Sequence, residues 1–333
     1  MTARPDVVAR GARAPVPRRV LLAASGAAAL LSAPALAQPR FPDRPIEILV
    51  GFAPGGGTDL DARTYARFLE VRLGGTVVVS NRPGAGGEVA LGAVARARPD
   101  GHTLGTTNLP GIVTIPIERQ AQFRLDDFAP IANLVTDPSA ISTHEDGPFK
   151  TLADVVARAR AAPDTVTYGS PGTGTDDHLQ LVMLQQAAGA TLTHVVFQGD
   201  APMRTALLGR QVDLIGLNLG QVTSAPDRIR VLSQGGATRS RFRPDVPTLR
   251  ELGYPVEMAS ERGLVAPAGT PPAVLARLRE ATAEIARDPE FVRQIESRFT
   301  EPLYEPGEAW FARLRRQEEA YRALWRRAPW VQR

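Results

Sequence analysis

Three adjacent glycines, Gly55-Gly56-Gly57, stand where a short apolar run gives way to a helical pattern. Residues 46–50 (IEILV) are typical of a buried strand, and residues 59–73 place apolar side chains at helical spacing. Glycines at this point leave backbone N–H groups unshielded by side chains. Unpaired N–H groups and the helix dipole both favour negative charge at a helix N-terminus. The segment from Phe52 to Asp59 therefore predicts a seat for a carboxylate or a phosphate.

A second polar loop follows a predicted strand in the other half of the chain. Residues 168–175 (YGSPGTGT) come at the end of a short apolar run, and Ser170, Thr173 and Thr175 add hydroxyl donors to the N–H groups of the glycines. A carboxylate held from both sides by neutral donors needs no buried counter-charge. The threonine hydroxyls can also cap the following helix, and the two roles are compatible.

A third glycine-rich loop, residues 81–87 (NRPGAGG), also lies between a predicted strand and a helix. Val89 stands where a dinucleotide-binding fingerprint needs its third glycine, and no lysine adjoins a glycine-rich run as a Walker loop requires. The loop is therefore either a plain strand-to-helix turn or a place where the backbone approaches a ligand or the first loop. No nucleotide cofactor is predicted.

The histidines form no catalytic or metal-binding pattern. No two of His102, His144, His178 and His194 are three or four residues apart, and the chain has no cysteine and no G-x-S-x-G elbow. We therefore predict no metal, no cofactor and a protein that is not an enzyme. The alternative is an exported α/β hydrolase-like enzyme that acts on a small carboxylate or phosphate ester, with His178 or His194 as the base.

The first 37 residues have the composition of an export signal. Arginines precede the apolar run VLLAASGAAALL at 20–31, and Ala35-Leu36-Ala37 matches a cleavage site, which predicts a periplasmic protein cleaved after Ala37. Arg18-Arg19 fits a twin-arginine signal, and an ordinary Sec signal stays open as well. This segment holds five basic residues and one acidic residue, so it accounts for the whole formal charge of +4. The remaining chain is neutral and gives no reason to expect nucleic acid as a partner.

Short apolar runs alternate with helical stretches through both halves of the remaining chain. The alternation predicts two α/β units with mainly parallel sheets, and the second unit begins near Thr151. Helices are predicted at 272–286, 288–298 and 307–325, the last with an apolar stripe that should pack into the core. In such bilobal molecules, ligands often lie between the two units at the C-terminal ends of strands.

Nine motifs occur in order along the chain: FPDRPI (41–46), FAPGGGTD (52–59), NRPGAGG (81–87), PDGHTL (99–104), DDFAPI (126–131), YGSPGTGT (168–175), HVVFQG (194–199), PDVPT (244–248) and LVAPAGTP (264–271). With these motifs the chain resembles the Bug-type periplasmic receptors, the solute-binding proteins of tripartite tricarboxylate transporters. The resemblance implies a monomer with a small carboxylate ligand, which it hands to the membrane subunits of such a transporter or to a sensor.

The resemblance also implies a type II periplasmic-binding-protein fold with two α/β lobes around a central ligand cleft and with C-terminal helices. The expected lobes are residues 38–140 with 258–333 and residues 141–257, joined by two crossings that act as hinges near 138–146 and 236–262. Asp59 is expected to orient the first loop or bridge water, and His178 to support the second loop. The predicted ligand-binding residues are Phe52, Ala53, Pro54, Gly55, Gly56, Gly57, Thr58, Asp59, Asn108, Ser170, Gly172, Thr173, Gly174, Thr175, Phe197, Asp200 and Asn218.

The chain departs from the family pattern in ways that bear on the ligand. Phe197-Gln198-Gly199 replaces the family's common Tyr-Lys-Gly, Asp200 follows at once, and Asp176-Asp177 stand where small polar residues are usual. The stretch 111–123 is also atypical. Extra acidic residues near a carboxylate seat disfavour a citrate-like polyanion. These residues favour a monocarboxylate or an amino acid, with Asp200 facing an ammonium group.

Overall fold

The structure is a computed structural model that describes residue 2 and residues 41–224, 228–327 and 329–330. The predicted export signal, residues 1–37, lies outside the described residues apart from Thr2. No described helix is long and apolar enough to cross a membrane. From Phe41 onward the chain forms one unit with two lobes, and a strand shared by the sheets of the two lobes joins them into one ten-stranded order.

The sheet of the first lobe begins with three parallel strands, β1 (Ile46–Val50), β2 (Val77–Asn81) and β3 (Thr103–Asn108), with β1 in the middle. Three antiparallel strands extend it: β4 (Phe128–His144), β9 (Ala259–Pro267) and β10 (Glu301–Pro306). The helices of this lobe are α1 (Gly57–Leu73), α2 (Glu88–Ala95), α3 (Gly111–Glu118), α8 (Pro272–Arg287), α9 (Pro289–Glu296) and α10 (Gly307–Arg327).

The sheet of the second lobe contains β5 (Thr167–Ser170), β6 (Thr193–Val196), β7 (Leu214–Asn218) and β8 (Ile229–Gln234). β5 pairs in parallel with β6 and β7, and the end of β4 runs antiparallel between β7 and β8. The helices of this lobe are α4 (Leu152–Ala161), α5 (Asp176–Ala188), α6 (Asp200–Leu208) and α7 (Leu219–Ser224).

The two α/β lobes confirm the predicted fold class, but the sheets are mixed rather than mainly parallel. The strands that follow the strand–helix alternation are parallel, as expected. β4, β8, β9 and β10 pair antiparallel because the chain crosses from one sheet to the other and returns. No element was predicted from the sequence for α3, α7 or β10.

One strand belongs to both sheets. β4 pairs with β9 as far as Pro138, and from Ser139 onward it pairs with β7. At this crossing Ser139 N–H donates to the Met258 carbonyl at 3.1 Å, and Gly235 N–H donates to the Ser139 carbonyl at 2.7 Å. The outgoing and returning chains are therefore hydrogen-bonded to each other where they pass between the lobes.

Each lobe has its own apolar core. In the first lobe, Ile46, Ile48 and Val50 of β1 pack with one face of α1, and Trp310 and Leu314 of α10 pack on the opposite side of the sheet. The second core lies between α4, α5 and the sheet. Burying each large aliphatic side chain contributes about 1.5–3 kcal/mol, so these cores fix the strand ends that carry the glycine loops.

Candidate functional site

The first glycine loop joins β1 to α1 and leaves the start of α1 without a side-chain cap. Gly56 is the residue before the helix, and no side chain accepts a hydrogen bond from the first N–H groups. Asp59 turns back into the first lobe, where its Oδ2 accepts from Gly55 N–H at 2.9 Å and its Oδ1 accepts from Asn81 at 2.8 Å. Although burial acts to raise the pKa of Asp59, hydrogen bonds from Arg63, Gly55 and Asn81 lower it. Asp59 therefore holds the loop as a carboxylate.

Two glycines of this loop lie against side chains of the cleft, namely Asp200 and Gln221 of the second lobe and Arg262 of β9 in the first lobe. A Cβ on Gly56 would stand 3.0 Å from Asp200 Oδ2. A Cβ on Gly57 would stand 3.0 Å from the guanidinium nitrogens of Arg262 and from Gln221 Nε2. The loop thus approaches these side chains closely, and a Cβ at either position would have to displace them by a few tenths of an ångström.

The second loop joins β5 to α5 and is held by its own threonine and histidine. Thr175 Oγ1 donates to the Gly172 carbonyl at 2.8 Å and caps α5. His178 Nδ1 accepts from Gly174 N–H at 3.1 Å. A Cβ on Gly172 would stand 3.2 Å from the Cα of Gly86, so the second loop meets the third glycine-rich loop backbone to backbone. The structure thus brings the glycine loops of both lobes to one cleft.

An inner cavity of about 20 Å³ lies between the lobes, and an outer cavity of about 330 Å³ adjoins it. Eight predicted residues line the inner cavity: Phe52, Gly56, Gly57, Thr58, Asn108, Thr175, Asp200 and Asn218. Three more line the outer cavity: Ala53, Pro54 and Gly55. Six lie behind these walls: Asp59, Ser170, Gly172, Thr173, Gly174 and Phe197. The residues behind the walls shape the loops, and Phe197 does so by packing its ring against Gly169.

A buried cation at the floor of the cleft, Arg262, was not among the residues predicted from the sequence. Arg262 donates to Asp61 at 3.0 Å and to Asp137 at 3.2 Å, and it also donates to Asn218 Oδ1 at 2.9 Å. Burial raises the pKa of Asp137 to about 7 even though Arg262 acts to lower it. The only sequence signal was a charged residue directly before the apolar run 263–266, and its partners lie 125 and 201 positions away.

Three further carboxylates face the cleft from the second lobe. Asp176 Oδ2 accepts from Ser139 and from Asn218, both at 2.6 Å, and Asp200 Oδ2 accepts from Gln221. Asp177 lines the inner cavity beside them. Burial raises the pKa of all three carboxyl groups. Asp176, Asp177 and Gln221 were not among the predicted site residues, although the acidic pair was noted as a departure from the family pattern.

The two histidines named as possible bases are stacked on each other behind the second loop. Their ring centroids are 4.1 Å apart, and Ser170 Oγ contacts His194 Nε2 at 2.7 Å. Ser170 is fully buried, and neither Ser170 nor His194 lines either cavity. This contact between Ser170 and His194 is therefore closed to a substrate in the cleft. Among the described residues, no group of three or more histidines and carboxylates is arranged to hold a metal ion.

Two α/β lobes that share a crossing strand and enclose a polar cleft have the architecture of a periplasmic binding protein. Solved structures agree: the chain is 30% identical to the periplasmic binding protein BugD, with a TM-score of 0.79 and coverage of 86% of this chain and 98% of BugD. MatC from Rhodopseudomonas palustris with bound malate is 27% identical, with a TM-score of 0.77 and coverage of 86% and 98%.

The family is established by the sequence comparisons. The family described as tripartite tricarboxylate transporter family receptor matches residues 62–321. A UPF0065 protein of Cupriavidus necator is 33% identical over 292 residues, which are 87% of this chain and 89% of that protein. The chain belongs to the tripartite tricarboxylate transporter receptor family, which confirms the resemblance found in its motifs.

Proposed function

We propose that this protein is an exported receptor that closes its two lobes around one small carboxylate and carries out no chemical step on it. The observation that carries the proposal is the uncapped start of α1, whose glycine loop faces the second lobe across the inner cavity. Backbone N–H groups at that position bind an anion without a buried counter-charge. Bound malate in MatC, a relative of similar fold, supports a small carboxylate as the ligand class.

Closure follows from the way the lobes are connected. The chain passes between them at Ser139 on the outward crossing and between Gly235 and Met258 on the return. We propose that these crossings are the hinges, within the segments 138–146 and 236–262, and that the lobes are residues 38–140 with 258–333 and residues 141–257. A ligand that contacts both lobes then stabilises the closed form by its differential affinity for that form.

The proposed location is the periplasm, and the proposed partners are the membrane subunits of a tripartite-type transporter or a sensor. The signal sequence at residues 1–37 supports export. The mass of the protein isolated from the periplasm should then correspond to a monomer that begins at Gln38. Retention of residues 1–37 in the isolated protein would contradict the proposed processing.

Calorimetry with purified protein tests the function. Small mono- and dicarboxylates are titrated into the wild type and into Gly57→Ala, whose added Cβ would crowd Arg262 and Gln221. We expect a one-to-one complex in which the ligand raises the melting temperature by mass action, and a loss of about tenfold or more in affinity for the variant. Binding that is equal in both proteins, or conversion of the ligand seen by NMR, contradicts the proposal.

A further inference from the structure

Three carboxyl groups, those of Asp176, Asp177 and Asp200, line the inner cavity with one basic side chain, Arg262. Both terminal nitrogens of Arg262, its buried cation, already donate to Asp61, Asp137 and Asn218. Among the described residues, Asp176 accepts hydrogen bonds from Ser139 and Asn218, and Asp200 accepts one from Gln221, all of which are neutral groups. Within the described residues, no ion pair joins Asp176, Asp177 or Asp200 to Arg262. Arg262, the basic side chain that lines the inner cavity, is thus hydrogen-bonded to Asp61, Asp137 and Asn218 and not to Asp176, Asp177 or Asp200. Arg204 lines the outer cavity and acts with Arg262 to lower the pKa of Asp200.

Asp177 has the fewest hydrogen-bond partners for its carboxylate among these three residues in the described part of the chain. It is 2% exposed, it lines the inner cavity, and its Oδ1 has no hydrogen-bond partner among the described residues. The nearby hydroxyl of Tyr168 donates to the backbone carbonyl of Asp177 and not to its carboxylate. Burial, together with repulsion from Asp176 and Asp200, raises the pKa of Asp177 well above its usual range. A buried carboxylate without a partner is costly, and a cation placed beside it removes that cost.

We propose that the inner cavity seats a ligand ammonium group against Asp177 and Asp200, so that the ligand is an amino acid or another carboxylate that bears a primary amine. This inference rests on the proposed function as a carboxylate receptor. It names the ligand class more narrowly than the family does.

The size of the inner cavity fits such a group. A volume of about 20 Å³ is room for one group of the size of a water molecule, since about 10–15 Å³ is the minimum that water needs. An ammonium group is of that size, whereas a carboxylate is larger and would face Asp176, Asp177 and Asp200. The outer cavity shares Gly56, Gly57 and Asp200 with the inner one, so the remainder of the ligand has room there.

The two ends of an amine-bearing carboxylate then meet opposite lobes. Its ammonium group meets the acidic residues at the starts of α5 and α6 in the second lobe. Its carboxylate meets the uncapped N–H groups of Gly57 and Thr58 at the start of α1 in the first lobe. The helix starts of the second lobe already carry Asp176, Asp177 and Asp200 as their anions, which leaves α1 as the seat for the anion of the ligand.

The test uses pairs of ligands that differ by one amine: alanine and propanoate, aspartate and succinate, glutamate and glutarate, 4-aminobutanoate and butanoate. Calorimetry at pH 7.5 compares wild type, Asp177→Asn, Asp200→Asn and the control Asp126→Asn, whose carboxylate is on the surface beside Arg315. We expect the amine member of at least one pair to bind about 30-fold more tightly than its partner. Asp177→Asn and Asp200→Asn should each remove most of that preference, and Asp126→Asn should keep it.

The outcomes separate this inference from the proposed function. Tighter binding of propanoate, succinate, glutarate or butanoate than of the amine partner overturns the ammonium seat and leaves the carboxylate receptor intact. The ammonium seat is also overturned, and the carboxylate receptor left intact, if wild type prefers the amine and that preference survives in Asp177→Asn and Asp200→Asn. If neither the amine-bearing carboxylates nor their partners without an amine bind, the proposed function and this inference are both overturned. Asparagine has nearly the shape of aspartate, and melting curves of the variants show whether each remains folded.

Discussion

Thr114 of the first lobe donates its hydroxyl proton to the carbonyl oxygen of Gly174 in the second lobe, at a distance of 2.7 Å. The donor lies in α3 and the acceptor lies in the loop before α5, so this hydrogen bond spans the cleft. Close to this hydrogen bond, the backbone of Gly172 in the second lobe contacts the backbone of Gly86 in the first lobe. We therefore expect the bond to break if the lobes move apart.

Thr114→Val should weaken ligand binding without unfolding the protein. Loss of the hydroxyl leaves the Gly174 carbonyl unpaired when the lobes close, whereas water can satisfy it when they open. The cost of about 0.5–1.5 kcal/mol corresponds to a dissociation constant about 2- to 12-fold higher, measured by calorimetry with the tightest-binding carboxylate. Thr114→Ser keeps the donor and is the matched control. Equal affinities for the valine and serine variants would mean that the bond has no part in closure.

The stacked histidines predict a loss of stability in acid. Burial lowers the pKa of His178 to about 3 and that of His194 to about 4. These pKa values lie below the value of about 6.5 that histidine has in the unfolded chain. As the pH falls below 6.5, the unfolded chain therefore binds more protons at these histidines than the folded protein does. The stabilisation is complete above pH 6.5 and is lost as the pH falls towards the folded values. At pH 5 each histidine should cost about 2 kcal/mol in the free energy of unfolding.

Urea unfolding between pH 5 and pH 8 measures this effect. The double variant His178→Asn, His194→Gln removes both titrating rings, so its stability should fall much less between pH 6.5 and pH 5 than that of the wild type. Carboxylates elsewhere titrate alike in both proteins, and the difference between the two curves isolates the histidines. Parallel curves would rule out these two rings as the source.

Arg262 should be essential for stability as well as for the shape of the cleft. Arg262→Met leaves Asp137 buried, with the backbone N–H of Gly220 at 2.8 Å as a remaining donor. Removing one partner of a buried ion pair costs about 3–5 kcal/mol, which urea unfolding measures directly. Arg315→Met is the matched control, because its pair with Asp126 is on the surface and should contribute less than about 1 kcal/mol. Equal losses in the two variants would contradict the prediction.

Gly235 at the return crossing should not tolerate a side chain. A Cβ there would stand 2.3 Å from the carbonyl oxygen of Met258 and 2.7 Å from Gln180 Nε2. Because the carbonyl is held in the crossing, Gly235→Ala should lose about 1–3 kcal/mol of unfolding free energy. Gly111→Ala has no atom closer than 3.7 Å and starts a helix, so it should gain about 0.4–1 kcal/mol or stay unchanged. Thermal and urea unfolding compare the pair, and similar stabilities would refute a tight crossing.

Local patterns in the sequence were sufficient for much of the fold. The glycine loop after β1 was predicted because an apolar strand, glycines and a helical pattern follow one another within 28 residues of the chain, from Ile46 to Leu73. Within β4 the sequence pattern predicts only two short strands, at 130–135 and 140–143, because Pro138 stands inside a strand of 17 residues. α3 was not predicted, because it is short and contains Pro116. When only neighbours in sequence are considered, a proline predicts the end of a helix or strand, even where tertiary contacts keep that element intact.

The site residues likewise fall into those that a local sequence pattern predicts and those that depend on contacts remote in sequence. Residues on the two glycine loops could be chosen from the local pattern, and many of them line the cleft. Arg262 could not be chosen, because its role depends on Asp61 and Asp137, which are remote in sequence. Behind the second loop, Ser170 and Thr173 were grouped with Thr175 because all three carry hydroxyls. Of the three, Thr175 lines the inner cavity, and the direction of each side chain that decides this is not contained in the sequence.

The strand that crosses between the lobes also ties their unfolding together. Both sheets draw backbone partners from Phe128–His144, so neither sheet can come apart without exposing unpaired groups in the other. Melting is therefore expected to be a single cooperative event, and a fragment cut at residue 141 would lose Ser139 and Ala140 from their pairing with β7. Because β4 is part of both sheets, we expect that neither lobe can be replaced by the corresponding lobe of a relative without disturbing the pairing in the other lobe.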